Sequence, residues 1–74
     1  MNLQLQFGER VRELRLAKGL SQEALAYKAG IDRTYMTSVE NGKRNVSIQN
    51  VEKIITALDI SVSEFFKSDT FKHN

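Results

Sequence analysis

The sequence predicts an all-α fold, and three observations carry that expectation. Apolar residues recur at helical intervals, as in Leu3, Phe7, Val11 and Leu14. Proline is absent and the four glycines are isolated, so the turn clusters that punctuate β-sandwiches are missing. Ser21, Asp32, Ser47 and Ser61 each stand just ahead of a helical stretch, where a side-chain oxygen can cap free backbone N–H groups.

The first helix is expected over residues 3–18, with Arg10, Arg12, Glu13 and Lys18 on or near its wet side and Gly19 ending it. Ser21 caps the second, where Glu23 lies in the first turn; Leu25, Ala26 and Ala29 form a small apolar face, and Gly30 closes it. Asp32 caps the third, over residues 33–41. Met36 and Val39 share its inner face, and Ile31 staples onto Met36. Ser47 caps the fourth, whose stripe is Ile48, Val51, Ile54, Ile55 and Leu58. Ser61 caps the fifth, "VSEFFK", with Glu64 completing a capping box. Residues 68–74 are expected to fray, with Phe71 the one side chain there able to pack.

At 74 residues the chain is expected to be one domain, close to the lower limit for a self-sufficient core. It has no cysteine, so no disulfide or thiolate-bound metal reinforces it, and small unstapled helical domains often gain stability by associating. No apolar run approaches ~20 residues, so no membrane span is expected. The segment "MNLQLQFGER" lacks the basic and apolar regions of a signal peptide, and the expected compartment is the cytoplasm. An enzyme is not expected: the one histidine, His73, lies in the tail, no phosphate-binding "GxxxxGK[ST]" loop occurs, and no acid–base set surrounds a pocket. No cofactor or metal is expected either.

The second and third helices are short and joined by the tight turn "AGID", which makes a helix-turn-helix. From there the resemblance widens. Residues 14 to 61, "LRLAKGLSQEALAYKAGIDRTYMTSVENGKRNVSIQNVEKIITALDIS", resemble the Cro and lambda-repressor type of helix-turn-helix. The signs are the "GLSQ" entry, "LA" in the second helix, "AGI" at the turn and "ENGKR" after the third, a run far more specific than a bare helix-turn-helix. "LAYKAGIDRTYMTSVENGKRN" with "FF" near the end is most similar to the small controller proteins of restriction–modification systems. The resemblance implies a five-helix, lambda-repressor-like domain that binds a palindromic double-stranded DNA operator as a homodimer and autoregulates its operon. A phage-type repressor and a DNA-binding antitoxin are the alternatives, separable by the neighbouring genes. RNA binding fits less well, because the basic surface lacks stacking aromatics.

A recognition helix presents its N-terminal residues to base edges in the major groove. Arg33 and Thr34 hold that place; Ser38 lies one turn on, and Tyr35 can reach a phosphate or a thymine methyl. Arginine can donate two bonds to guanine, worth ~1–3 kcal/mol of discrimination. Thr37 lies to the side and is expected to be structural. The backbone contacts implied by the resemblance and by helix N-termini are Gln22, Asn41, Lys43, Arg44, Asn45, Ser47, Gln49 and Asn50. Any of these charges taken singly is an ordinary solvated side chain; it is their joint placement around the helix-turn-helix that points to DNA.

Two further roles follow from the resemblance, and a third, the dimer surface, from the residues themselves. Arg15 and Glu40 are expected to form a partly buried ion pair between the first and third helices. Ile60, Val62, Phe65 and Phe66 are expected at the dimer interface: Phe65 and Phe66 lie ~100° apart on a helix, so one can face the core while the other faces out, and exposed phenylalanine on so small a domain points to a partner. Glu23 matches the position at which some relatives touch RNA polymerase, the sigma subunit being the expected partner.

Overall fold

The computed structural model describes residues 2–71; His73 lies outside the described residues. Five α-helices follow in order: α1 (Leu3–Ala17), α2 (Gln22–Ala29), α3 (Arg33–Glu40), α4 (Ile48–Ala57) and α5 (Val62–Phe66). A 3-10 turn, Asp69–Phe71, comes after them. Each expected cap is in place. The Ser21, Ser47 and Ser61 hydroxyls accept from the N–H groups of Ala24, Asn50 and Glu64, and the Asp32 carboxylate accepts from that of Thr34. Asn2 caps α1 in the same way, accepting from Leu5.

The core gathers one face from every helix: Phe7 and Val11, Leu25 and Ala29, Met36 and Val39, Ile54, Ile55 and Leu58, and Phe65. α1 packs closely on α3, and Gly8 permits it. A Cβ at Gly8 would fall well inside contact distance of the Val39 carbonyl oxygen and 2.9 Å from that of Glu40. Gly42 ends α3 in the left-handed region (φ +72°), and a Cβ there would lie 2.8 Å from the Leu5 Cα.

The same α1–α3 contact holds a buried ion pair. Arg15 Nε donates to Glu40 Oε2 at 2.6 Å and Arg15 Nη2 to Oε1 at 3.0 Å, while Arg15 Nη1 reaches the Leu20 carbonyl at 2.8 Å. The Glu40 side chain is fully buried and that of Arg15 nearly so. The two-point geometry satisfies the charges where water cannot.

Several positions depart from the periodic expectation. Arg10, expected on the wet side of α1, is buried; its Nε donates to the Phe65 carbonyl at 2.7 Å and its Nη2 to that of Glu64 at 2.9 Å. A five-residue helix cannot satisfy its own last carbonyls, and the guanidinium supplies donors to them. Leu3 and Ile48, expected in the core stripes, are exposed at 56% and 79%. Both line a groove with Val62 and Phe66, so the apolar period is real but this chain leaves that face uncovered.

The tail also departs from expectation. Residues 68–71 are folded back rather than frayed: Gln6 Nε2 donates to the Thr70 carbonyl at 2.8 Å, and the Phe71 ring packs 5.0 Å from that of Phe66. Phe7, Phe65, Phe66 and Phe71 thereby form one continuous aromatic cluster, and that burial holds the segment down.

Two stability predictions follow from the α1–α3 contact. Gly8→Ala gains about 1 kcal/mol of helix propensity but forces a methyl into backbone, at the upper end of the roughly 1–3 kcal/mol cost of overpacking. Its urea midpoint is therefore expected to fall, with the denaturant slope unchanged. Arg15→Ala and Glu40→Ala are each expected to cost about 3–5 kcal/mol by stranding a buried charge. A double-mutant cycle should show strong favourable coupling, and additive losses would rule the pairing out in solution.

Candidate nucleic-acid interface

The third helix divides its eight residues between two tasks. Met36, Val39 and Glu40 are buried against the rest of the domain. Arg33 and Thr34 are exposed at its N-terminal end, while Tyr35, Thr37 and Ser38 are half-buried along its flanks. The turn that delivers this helix is closed by the Ile31 N–H donating to the Ala26 carbonyl at 3.0 Å. Gly30 there takes a left-handed conformation at the C-cap of α2. The amphipathic pattern of α3 thus leaves Arg33 and Thr34 without an internal role for their side chains.

Gln22, the first residue of α2, is tied into the ion pair. Its Nε2 donates to Glu40 Oε1 at 3.0 Å, and its Oε1 accepts from the Thr37 hydroxyl at 2.9 Å. Residues 37 and 40 are three apart on a helix, so both face the start of α2. That spacing was available in the sequence, but nothing in it named Gln22 as the third partner.

On the other flank, Tyr35 is fixed from two directions. Asn50 Nδ2 donates to its hydroxyl at 3.1 Å, and the Arg44 guanidinium lies over its ring, 4.9 Å from the centroid. Asn50 is thus engaged with α3 rather than standing free at the start of α4. Asn41, Lys43, Arg44 and Asn45 are exposed in the loop after α3, and Ser47 and Gln49 are exposed where α4 begins. Glu23 is exposed in the first turn of α2.

The four residues expected at a dimer interface do not share one environment. Phe65 has no exposure and lies in the core, which corrects its assignment to the interface; Ile60 is half-buried against that core. Adjacent residues on a helix diverge by ~100°, so burying Phe65 turns Phe66 outward. Val62 and Phe66 are exposed at 58% and 38% and continue into the groove lined by Leu3, Val46, Ile48 and Val51.

Among the described residues no cluster of acids, histidines or cysteines could hold a metal ion. No helix there is long and apolar enough to cross a membrane.

Known proteins are similar to this chain in sequence and fold. The Helix-turn-helix family matches residues 11–65. Control protein C.MunI of Mycoplasma sp is 48% identical over 66 residues, covering 88% of this chain and 89% of that one. The crystal structure of the restriction-modification controller protein C.AhdI from Aeromonas hydrophila superimposes with a TM-score of 0.80 at 58% identity, covering 84% of this chain and 94% of its own. The controller protein C.Esp1396I, solved as a tetramer on its natural 35 base-pair operator, gives a TM-score of 0.86 at 37% identity over 90% of this chain and 88% of its own. With a family match over most of its length and relatives aligned nearly end to end, the chain belongs to the helix-turn-helix family of transcriptional regulators, among the restriction–modification controller proteins.

Proposed function

We propose that this chain binds an operator upstream of its own gene as a homodimer and autoregulates a restriction–modification operon. The observation that carries this reading is the division of α3. Its inner face is pinned by Met36, Val39 and the Glu40–Arg15 pair, while Arg33 and Thr34 stand free at the end that enters a major groove. The resemblance to a controller protein solved on its operator supports it.

In this reading Arg33 and Thr34 read base edges, with Ser38 and Tyr35 beside them. Gln22, Asn41, Lys43, Arg44, Asn45, Ser47, Gln49 and Asn50 position the backbone. A second copy covers the groove around Val62 and Phe66; an uncovered apolar surface in so small a domain is costly to leave in water. Glu23, which is exposed on α2, is in this reading the residue that meets RNA polymerase when the dimer activates its promoter. Operator binding of this kind requires no enzyme chemistry and no cofactor, and the proposed compartment is the cytoplasm.

Footprinting on the chain's own upstream DNA tests the reading directly: a protected palindrome is expected. Affinity should fall steeply with salt, by about 0.9 in log K per log salt unit for each phosphate neutralised, and a flat response would overturn the phosphate assignments.

Arg33→Ala should lose ~1–3 kcal/mol of preference for the operator over its variant at one base pair. Lys43→Ala should instead weaken all sequences alike and make the salt slope shallower. Phe66→Asp should yield monomers in analytical ultracentrifugation, and a variant that stays dimeric would remove this interface. Glu23→Gln should bind the operator normally yet fail to activate, whereas retained activation would clear Glu23 of that role.

A further inference from the structure

The hydrogen bonds around Gln22 have a direction that the buried charge imposes. Glu40 is held at two points by Arg15, so toward Gln22 it presents a carboxylate oxygen that only accepts. The Gln22 atom 3.0 Å from Glu40 Oε1 must then be the nitrogen. Turning the amide over would set a carbonyl oxygen against a carboxylate oxygen with no hydrogen between them. With Nε2 committed to Glu40, the Gln22 carbonyl faces Thr37, whose hydroxyl must donate. Both oxygens within reach of that hydroxyl, Gln22 Oε1 at 2.9 Å and the Arg33 carbonyl at 3.1 Å, are acceptors.

Two hydrogens on Gln22 Nε2 meet one acceptor within the domain. Among the described residues only Glu40 accepts from Gln22 Nε2. The second N–H is left over on a half-buried side chain at the first residue of α2, next to the free backbone N–H groups of that turn. The amide cannot rotate this donor away without giving up Glu40 on one side or Thr37 on the other.

We infer that Thr37 is a positioning residue for DNA: its hydroxyl holds Gln22 so that the spare Nε2–H is a preset donor to a backbone phosphate. The inference rests on the operator-binding reading above and adds to it a residue that contacts no base. It also explains why a threonine on the recognition helix is turned toward α2: its one hydrogen is spent within the domain.

The test uses the full chain with Thr37→Val, which keeps the shape and loses the hydroxyl, and Thr37→Ser, which keeps it. Thr37→Ala repeats the deletion without the branched methyl. Thermal melting of each variant confirms folding before binding is measured. Thr37→Val is expected to weaken operator and non-specific DNA alike, by about three- to tenfold for one lost orienting hydrogen bond. Its log–log salt slope should become shallower by about 0.9, one phosphate's worth.

Thr37→Ser should restore both, and Thr37→Val should cost nothing further in a Gln22→Ala background. An unchanged affinity and slope would overturn the inference, as would a loss confined to one operator base pair, which would make Thr37 a base reader. Failure of the unaltered chain to bind its upstream DNA would instead overturn the operator-binding reading itself.

Discussion

The bidentate pair between Arg15 and Glu40 is the interaction on which the arrangement of the first three helices depends. Arg15 belongs to α1 and also takes the Leu20 carbonyl from the loop before α2. Glu40 ends α3 and takes the Gln22 amide from the start of α2. One buried carboxylate and one guanidinium therefore register three helices. Such a pair is not a large net source of stability, because desolvating two charges costs about what their attraction returns. Breaking it is expensive, however, and its geometry is directional in a way that apolar packing is not. Gly8 completes the constraint: without a side chain there, α1 can come close enough to α3 for the pair to close.

From that constraint the surface divides into two. The exposed end of α3, the loop of Lys43, Arg44 and Asn45, and the start of α4 make a polar side suited to a charged backbone. Leu3, Ile48, Val62 and Phe66 make a largely apolar groove that adjoins the polar side, since Arg44 and Asn45 line it too. Phe66 is not loose there, since it packs against Phe65 on one side and Phe71 on the other. The short helix α5 is secured by Arg10, which takes its terminal carbonyls. The surface proposed to meet a second copy is thus built on a packed aromatic base, which would reduce the ordering cost of association.

What could be read from the sequence was local. Caps at Ser21, Asp32, Ser47 and Ser61 act within three residues, and the apolar period along each helix acts within four, so both were legible. The departures all required knowing what lies opposite. Arg10 looks solvated until a carbonyl 55 residues away is brought to it. Leu3 and Ile48 have the spacing of core residues, but periodicity reports a shared face and not who covers it. Phe65 and Phe66 could be assigned opposite fates from their adjacency, though not which took which. Gln22 was legible as a polar residue at a helix start, and its tie to Glu40 and Thr37 was not, because that depends on the α2–α3 crossing.

The polarity of α3 follows from its length. Eight residues make little more than two turns, so only about three side chains can face inward. Three apolar contacts would hold so short a helix without fixing its rotation, since hydrophobic burial is non-directional. Spending one of the three inward positions on Glu40 exchanges some of that burial for a bond that resists rotation. In the proposed operator complex rotation is the coordinate that matters, because it decides whether Arg33 and Thr34 would point at base edges or along the groove wall. The same bond, relayed through Gln22 to Thr37, ties the flank of the helix as well. A recognition helix this polar is therefore held by directed bonds where a longer one could rely on packing.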